Sequence, residues 1–168
     1  MDNCKSFKPS IDNNSKILIL GSMPGIKSLE EQQYYAHPQN RFWKVMGALC
    51  GENNLAEFDY DTKLKFLLNN NIALWDTIKS CKRKGSLDSD IKNEQPNSIR
   101  KLLKNYPSIK IICLNGNKSY SAFEKYFPDL IEKYSTYKMP STSPTNAKYS
   151  LNKLIEEWSI ILQLTKFK

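Results

Sequence analysis

The residues best suited to chemistry lie in two segments near the start of the chain. The first is a turn, Gly21-Ser-Met-Pro-Gly25, directly after four apolar residues. The second is Tyr34-Tyr-Ala-His-Pro-Gln-Asn40, followed by Phe42 and Trp43. Aromatic rings supply flat apolar walls, and the His and Asn side chains supply a few directional hydrogen bonds. This mixture predicts a pocket for a heterocyclic base, because a sugar phosphate alone would not require it.

These segments need a scaffold, and the apolar pattern indicates one. Strands are predicted at about 16–20, 72–75, 109–114 and 134–137, with helices between them. This alternation predicts a parallel sheet covered on both faces, whose right-handed crossovers collect the loops after the strands at one edge. Ligands bind at that edge in open α/β sheets. The candidate substrate-binding residues near it are Gly21, Ser22, Met23, Pro24, Gly25, Tyr35, His37, Asp76 and Asn115.

Other segments have local signals of their own. Residues 1–14 are polar and are expected to form an N-terminal extension, and Ser28-Leu-Glu-Glu31 fits a capping box at a helix start. A helix is expected from near Pro38 to Gly51, and a closing amphipathic helix carries apolar residues from 151 to 162. Residues 79–98 are rich in polar and turn-forming types and are expected to form a long surface loop.

Composition limits the class of protein. With 168 residues and 40% hydrophobic content, the chain is expected to form one soluble domain. The net charge of +8 favours an anionic partner, although general solubility is an equally good explanation. The four cysteines are scattered, so no metal, cluster or other cofactor is expected. Without a long apolar run or signal region, we expect a cytoplasmic protein, nucleoid-associated in a prokaryote. A monomer is expected as well.

The two leading motifs resemble those of a known superfamily. Gly21-Ser-Met-Pro-Gly25 followed by Tyr35-Ala-His-Pro-Gln-Asn-Arg-Phe-Trp-Lys-Val45 is similar to the mismatch-specific branch of the uracil-DNA glycosylases. That branch has a water-positioning Asn where this chain has Met23. A sister branch, the hypoxanthine-DNA (deoxyinosine) glycosylases, has an apolar residue there and relies on the Asn that corresponds to Asn40. The resemblance implies a three-layer α/β/α sandwich around a four-stranded, mainly parallel sheet.

Later segments extend the resemblance. Leu74-Trp-Asp-Thr-Ile78 and Gly85-Ser-Leu-Asp-Ser-Asp-Ile91 look like the sister branch, and Met139-Pro-Ser-Thr-Ser-Pro-Thr-Asn146 resembles the second superfamily motif. Many members have His where this chain has Met139, so charge stabilisation by a histidine is not expected there. The Met139–Asn146 segment could also be an ordinary turn, and the basic cluster Lys79, Lys82, Arg83 and Lys84 could be a solvated loop. The residues expected to contact DNA phosphates are Lys82, Arg83, Lys84, Ser141, Thr142, Ser143 and Asn146.

The resemblance implies a monofunctional DNA glycosylase of base excision repair that acts on double-stranded DNA containing a deaminated base. Tyr35 is expected to stack on the extruded base, unless its ring simply packs in the core. Asn40 is the expected catalytic residue, because its amide can orient a water or donate to a base carbonyl; capping the next helix is the plainer alternative. His37 is more often structural in such a position. Asp76 either supports the pocket or caps the following loop.

Hypoxanthine is the first expected substrate and uracil the second. A uracil or thymine mismatch-specific DNA glycosylase is an alternative that the motif supports and Met23 opposes. A non-catalytic module that binds damaged DNA is an alternative from another class. A small-molecule nucleotide-binding domain ranks last, because the chain has neither a Walker lysine motif nor a dinucleotide fingerprint.

Overall fold

Seven strands and eight α-helices lie within residues 2–165, the part of the chain that the computed structural model describes. The strands are β1 (Asp2–Lys5), β2 (Ile17–Gly21), β3 (Ile72–Asp76), β4 (Ile78–Arg83), β5 (Lys92–Pro96), β6 (Ile111–Asn115) and β7 (Ser135–Met139). The helices are α1 (Ile26–Glu31), α2 (Phe42–Cys50), α3 (Tyr60–Asn69), α4 (Ile99–Asn105), α5 (Asn117–Tyr126), α6 (Pro128–Lys133), α7 (Leu151–Trp158) and α8 (Ile160–Thr165).

Four parallel strands form the central sheet, in the order β3-β2-β6-β7. Every residue of β2 is buried, as expected for a central parallel strand covered on both faces. The register pairs Gly21 with Asp76 and Asn115 with Met139, so the polar residues that end these strands meet at one edge. The predicted α/β fold with a four-stranded parallel sheet is confirmed. No helix within residues 2–165 has the length and apolar character to cross a membrane.

Alternate residues of β2 point to opposite faces of the sheet and join different cores. Ile17 and Ile19 pack with side chains of α2, α3 and α7. Leu18 and Leu20 pack with side chains of α4, α5 and α6. Helices therefore cover both faces, which gives the three layers that the resemblance implied.

A second sheet of three antiparallel strands, in the order β1-β4-β5, lies beside the first. The prediction of a long loop at residues 79–98 is therefore wrong, because most of β4 and all of β5 fall within it. Residues 1–14 likewise include the paired strand β1. The composition concealed these strands because only one face is apolar: Cys4, Ile78, Cys81 and Ile91 pack together while the alternate residues are largely polar. Register shifts in β4 also break the period-two pattern.

Three helix predictions need correction. Ser28 lies inside α1 and its Oγ accepts a hydrogen bond from Ala36 N, so it forms no capping box. Helix α2 begins at Phe42, because residues 37–40 form a turn in which Asn40 N donates to the carbonyl of His37. The closing helix is divided into α7 and α8 by a break at Ser159, whose hydroxyl donates to a backbone carbonyl, an interaction that competes with helix continuation.

Candidate active site

A cavity of about 470 Å³ opens where β2, β3 and β6 end. This volume lies within the range of sites for small organic ligands. The chain folds so that the ends of these strands, the loop after β7 and the 34–40 segment share one space. The predicted site residues that line it are Gly21, Ser22, Met23, Pro24, Gly25, Tyr35, His37, Asn40, Asp76, Asn115, Ser141, Thr142 and Ser143. Lys82, Arg83, Lys84 and Asn146 do not line it.

Tyr35 forms an aromatic wall of the cavity. Its ring is half-buried and stacks on Phe42, with centroids 3.9 Å apart and planes 15° from parallel. Its hydroxyl accepts a hydrogen bond from Asn115 Nδ2 at 3.3 Å. The backbone has a φ of +55°, a left-handed conformation that costs a non-glycine residue on the order of 1 kcal/mol. The ring is thus both attached to the core through Phe42 and part of the cavity surface.

Gly21 is required by space at the floor of the cavity. A Cβ atom at this position would lie 2.6 Å from Asp76 Oδ1 and 3.3 Å from Tyr35 Oη. Real Cβ atoms essentially never approach another atom as closely as 2.6 Å. The absent side chain therefore lets a carboxylate and a phenol converge over the end of β2.

Asp76 is a buried carboxylate at the end of β3. It is 4% exposed, and no described residue bonds its Oδ2. Burial raises the pKa of Asp76 to about 7; the negative charge of Asp88 adds to the rise, and Arg83 opposes it. A buried polar atom without a partner is costly, so such atoms often have a functional reason. Asp76 also lines the cavity, so its carboxylate is a candidate hydrogen-bond acceptor for a ligand.

Asn40 both supports α2 and lines the cavity. Its Oδ1 accepts a hydrogen bond from Phe42 N at 3.0 Å, which is the plainer role considered for it. Within residues 2–165, no acceptor bonds its Nδ2. The two roles are compatible, because the bond to the helix fixes the carboxamide and leaves its NH₂ group available.

His37 belongs to the turn before α2. Its Nδ1 accepts a hydrogen bond from Gln39 N at 3.1 Å, and its carbonyl accepts one from Asn40 N at 2.9 Å. The ring is exposed at the cavity surface. His37 therefore has a structural role in this turn, and its Nε2 takes no part in that hydrogen bond.

Arg41 organises the loop after β7, and sequence reasoning missed it. Its guanidinium donates to the carbonyls of Thr142, Ser143, Asn146 and Tyr149. One side chain thus ties four points of the loop to the start of α2. The only sequence signal was the position of this arginine directly after Asn40.

The same loop corrects one predicted phosphate contact. Thr142 is fully buried, and its hydroxyl and backbone N–H both bond the side chain of Asn115, each at 3.1 Å. It therefore positions the loop and cannot face a phosphate. Ser141, Ser143 and Asn146 are half-buried, and Asn146 Nδ2 donates to the carbonyl of Ser141. Met139 is buried in the core and brings no charge to the site.

The predicted basic cluster also separates into two parts. Lys82 and Lys84 are exposed, as a phosphate contact requires. Arg83 is 1% exposed, so the expectation that it contacts phosphates from the surface is wrong. It lies between the two lysines, at the end of β4, and faces inward, where its Nη2 donates to the carbonyl of Pro24 and supports the β2–α1 loop.

Two further contacts join the β2–α1 loop to the β4–β5 connection, and sequence reasoning predicted neither of them. Ser22 Oγ donates to Asp88 Oδ1 at 2.6 Å, and Ile26 N donates to Ser86 Oγ at 2.8 Å. The β4–β5 connection thus holds both ends of the β2–α1 loop. No group of three or more His, Cys, Asp or Glu side chains among the described residues could hold a metal ion.

Comparisons with known proteins place this chain beside one family. A family model described as "Uracil DNA glycosylase superfamily" matches residues 9–164. A protein named hypoxanthine DNA glycosylase from Methanosarcina acetivorans is 39% identical over 160 residues, which cover 95% of this chain and 98% of that protein. One of the same name from Methanosarcina barkeri is 44% identical over 115 residues, 68% of this chain and 72% of the relative.

A solved structure is also similar. The solution NMR structure of a candidate uracil DNA glycosylase from Methanosarcina acetivorans superposes with a TM-score of 0.84 and 38% sequence identity. The match covers 98% of this chain and 99% of that chain. Sequence and fold therefore point to the same family over nearly the whole length.

Proposed function

Because the chain belongs to the uracil DNA glycosylase superfamily, it is a DNA glycosylase, and we propose that it removes hypoxanthine first and uracil second. Two relatives named hypoxanthine DNA glycosylase support this choice of base. The observation that carries the proposal is the buried Asp76 carboxylate, whose Oδ2 has no partner within the described residues, on the wall of a base-sized cavity. The proposed partner is double-stranded DNA containing a deaminated base, bound by a monomer in the cytoplasm or nucleoid.

The carboxylate of Asp76 suits the edge that deamination creates. Hypoxanthine and uracil have a ring N–H beside a carbonyl, whereas adenine and cytosine have a bare ring nitrogen at that position. An ionised carboxylate accepts a hydrogen bond from the N–H but meets a lone pair in the undamaged parent. Guanine and thymine also carry such an N–H, so the cavity shape and the cost of opening a normal pair must exclude them.

Tyr35 is proposed to stack on the extruded base. Phe42 supports one side of its ring at 3.9 Å, and Asn115 holds its hydroxyl at 3.3 Å. The ring is therefore positioned before substrate arrives, which reduces the entropy lost on binding. Stacking on an aromatic side chain offsets part of the stacking that the nucleotide loses when it leaves the duplex.

Asn40 is proposed to act on the bond that breaks. Departure of the base leaves positive charge on the sugar and negative charge on the base, so a held water and a donor toward the base are both useful. Oδ1 already accepts from Phe42 N and retains a second lone pair for a water, while Nδ2 can donate to the base. An amide cannot remove a proton at neutral pH. Water is therefore proposed to capture an oxocarbenium-like sugar late in the reaction.

Hydrolysis without a covalent intermediate is proposed because the amine at the cavity is poorly suited to attack. Lys27 lines the cavity, and its Nζ lies 3.0 Å from Glu31 Oε1. The hydrogen bond and charge of Glu31 raise the pKa of Lys27 above its ordinary value. A protonated amine is not a nucleophile, so borohydride should trap no protein–DNA adduct.

The direct experiment offers the purified protein labelled duplexes, each containing one hypoxanthine, one uracil in each mismatch, or no lesion. Hot alkali then cleaves the strand wherever a base has been removed. Strand breaks that are strongest with hypoxanthine and weaker with uracil support the proposal. Breaks confined to uracil or thymine mismatches would favour the mismatch-specific alternative, and binding without breaks would favour a damaged-DNA-binding module.

A further inference from the structure

Two cysteines face each other across the small antiparallel sheet. Cys4 of β1 and Cys81 of β4 are directly opposite residues in the pairing of these strands. Both are free thiols, they are 8% and 4% exposed, and they belong to the same small apolar cluster. The remaining cysteines lie in other elements, Cys50 in α2 and Cys113 in β6. Within residues 2–165, this is the strand pairing that sets one thiol opposite another.

The backbone brings these two thiols close enough to be joined. Directly opposite residues of antiparallel strands have Cα atoms about 4.5–5.5 Å apart, inside the range of about 4.4–6.8 Å that disulfides span. The two side chains also point to the same face of the sheet. Burial raises the pKa of the Cys81 thiol, and the charge and hydrogen bonding of Cys4 raise it further, so the two sulfurs interact. Joining them requires side-chain rotation and no new pairing of the strands.

We propose that Cys4 and Cys81 form a reversible disulfide when the protein meets a peroxide, and that this bond staples β1 to β4. One thiolate attacks a peroxide oxygen; the O–O bond breaks, and a sulfenic acid and one water form. The second thiol attacks that sulfur; the S–S bond forms, the S–O bond breaks, and a second water leaves. The two thiols together lose two electrons and two protons, which the peroxide accepts. A dithiol reductant reverses the change by thiol–disulfide exchange.

Cys4 is the expected first site of oxidation. Its strand has four residues and lies at the edge of the sheet, and such elements open locally at low free-energy cost. Cys81 lies in the central strand of the same sheet, and its raised pKa keeps it protonated. Opening of β1 exposes Cys4 to the peroxide, and closing returns the sulfenic acid to Cys81. Because only a thiolate attacks, the reaction should be slow at neutral pH and faster as pH rises.

The staple would fix the strand that supports the cavity loop. Cys81 is two residues before Arg83, whose guanidinium donates to the carbonyl of Pro24. The bond closes a loop from residue 4 to residue 81, nearly half of the chain, and a link of this span restricts the unfolded state strongly. Neither cysteine lines the cavity, so we expect excision to continue in the oxidised protein. The inference does not depend on which base the protein removes.

The test treats the native protein with hydrogen peroxide and then counts free thiols after unfolding. Two of the four thiols are expected to disappear, peptide mapping should find Cys4 joined to Cys81, and dithiothreitol should restore all four. The urea midpoint of the oxidised protein should rise by about 1 M, with excision within about twofold of the reduced protein. Cys4→Ser and Cys81→Ser should each lose the cross-link and the midpoint shift, whereas the control Cys50→Ser should keep both.

Four free thiols after peroxide treatment would overturn the proposal, as would a link to Cys50 or Cys113, or a covalent dimer on a non-reducing gel. Oxidation of Cys4 to a sulfinic acid without a cross-link would also overturn it, because Cys81 would then be out of reach. A cross-link that leaves the urea midpoint unchanged would overturn the staple. Peptide mapping uses the native chain, so it decides the question even where a Cys81 variant folds poorly.

Discussion

Replacing Asp76 with Asn separates what the carboxylate contributes to recognition from what it costs the fold. The pKa of Asp76 is raised to about 7, mainly by burial. If only the ionised form accepts the N–H of hypoxanthine, activity must depend on deprotonation of this group. About nine tenths of it is ionised at pH 8 and about one tenth at pH 6, so kcat/KM should fall about tenfold between them.

The Asp76→Asn variant should lose this pH dependence. Its amide oxygen can still accept the N–H, but a neutral acceptor is weaker than a charged one by roughly 1 kcal/mol. We therefore expect kcat/KM at pH 8 to fall by about five- to tenfold. The amide can also turn its NH₂ group toward the bare nitrogen of adenine, so discrimination against adenine should fall as well.

Stability should respond in the opposite sense. The pKa of Asp76 rises from 3.8 to about 7 on folding, so the folded state binds the proton more tightly than the unfolded state. The native chain therefore loses stability as pH rises from about 4 to 7, by up to roughly 4 kcal/mol, and the loss is complete above pH 7. Asp76→Asn removes this penalty, so it should stabilise the protein at pH 8 and have little such effect near pH 4.

The assay is single-turnover excision at pH 6, 7 and 8, paired with urea unfolding at pH 4.5 and 8, all at about 25 °C. His37→Gln is the control, because it removes the only histidine while leaving the carboxylate in place. The reasoning is refuted if Asp76→Asn keeps the same loss of activity at low pH, or if His37→Gln abolishes it. A variant that is less stable at pH 8 would contradict the burial penalty.

Three other predictions follow from the geometry. Gly21→Ala should lower kcat/KM by about a hundredfold with the fold retained, because the new Cβ would lie 2.6 Å from Asp76 Oδ1 and displace the carboxylate. Excision kinetics measure the loss of activity, and circular dichroism checks the fold. Arg41→Ala should cost about 3 kcal/mol of unfolding free energy, since the four hydrogen bonds from the guanidinium to loop carbonyls are lost, and urea titration would contradict this if it showed no change. Replacing Lys82 and Lys84 together with Ala should reduce the slope of log binding constant against log salt by about two, whereas an unchanged slope would remove both from the DNA contact.

Much of the central sheet could be predicted because it is buried on both faces. The apolar runs around Ile17 and Ile112 have no other simple explanation, and parallel topology then brings their following loops to one edge. Asp76 and Asn115 could be placed near Gly21 for this reason alone. The motifs indicated which segments of the chain contribute residues to the site. The prediction of an aromatic wall at Tyr35 also came from the motifs.

The rest depends on contacts that a linear pattern does not contain. The small antiparallel sheet has one apolar face and register shifts, so its strands resemble a polar loop. Arg83 looks like its lysine neighbours, and only the strand alternation turns it inward. Arg41 donates to backbone carbonyls about a hundred residues away in the chain. Every residue has such a carbonyl, so the residue types do not show which ones Arg41 binds.

The central claim is that the Asn40 amide is needed to break the bond but not to bind the DNA. The measurement is single-turnover excision of hypoxanthine by Asn40→Ala, with duplex affinity measured on the same samples. Gln39→Ala is the matched control, because this exposed side chain lies in the same turn and only its backbone N–H is bonded there. We predict that Asn40→Ala loses excision by at least about a hundredfold with affinity retained, and that Gln39→Ala matches the native chain. Native excision rates in Asn40→Ala would contradict the mechanism.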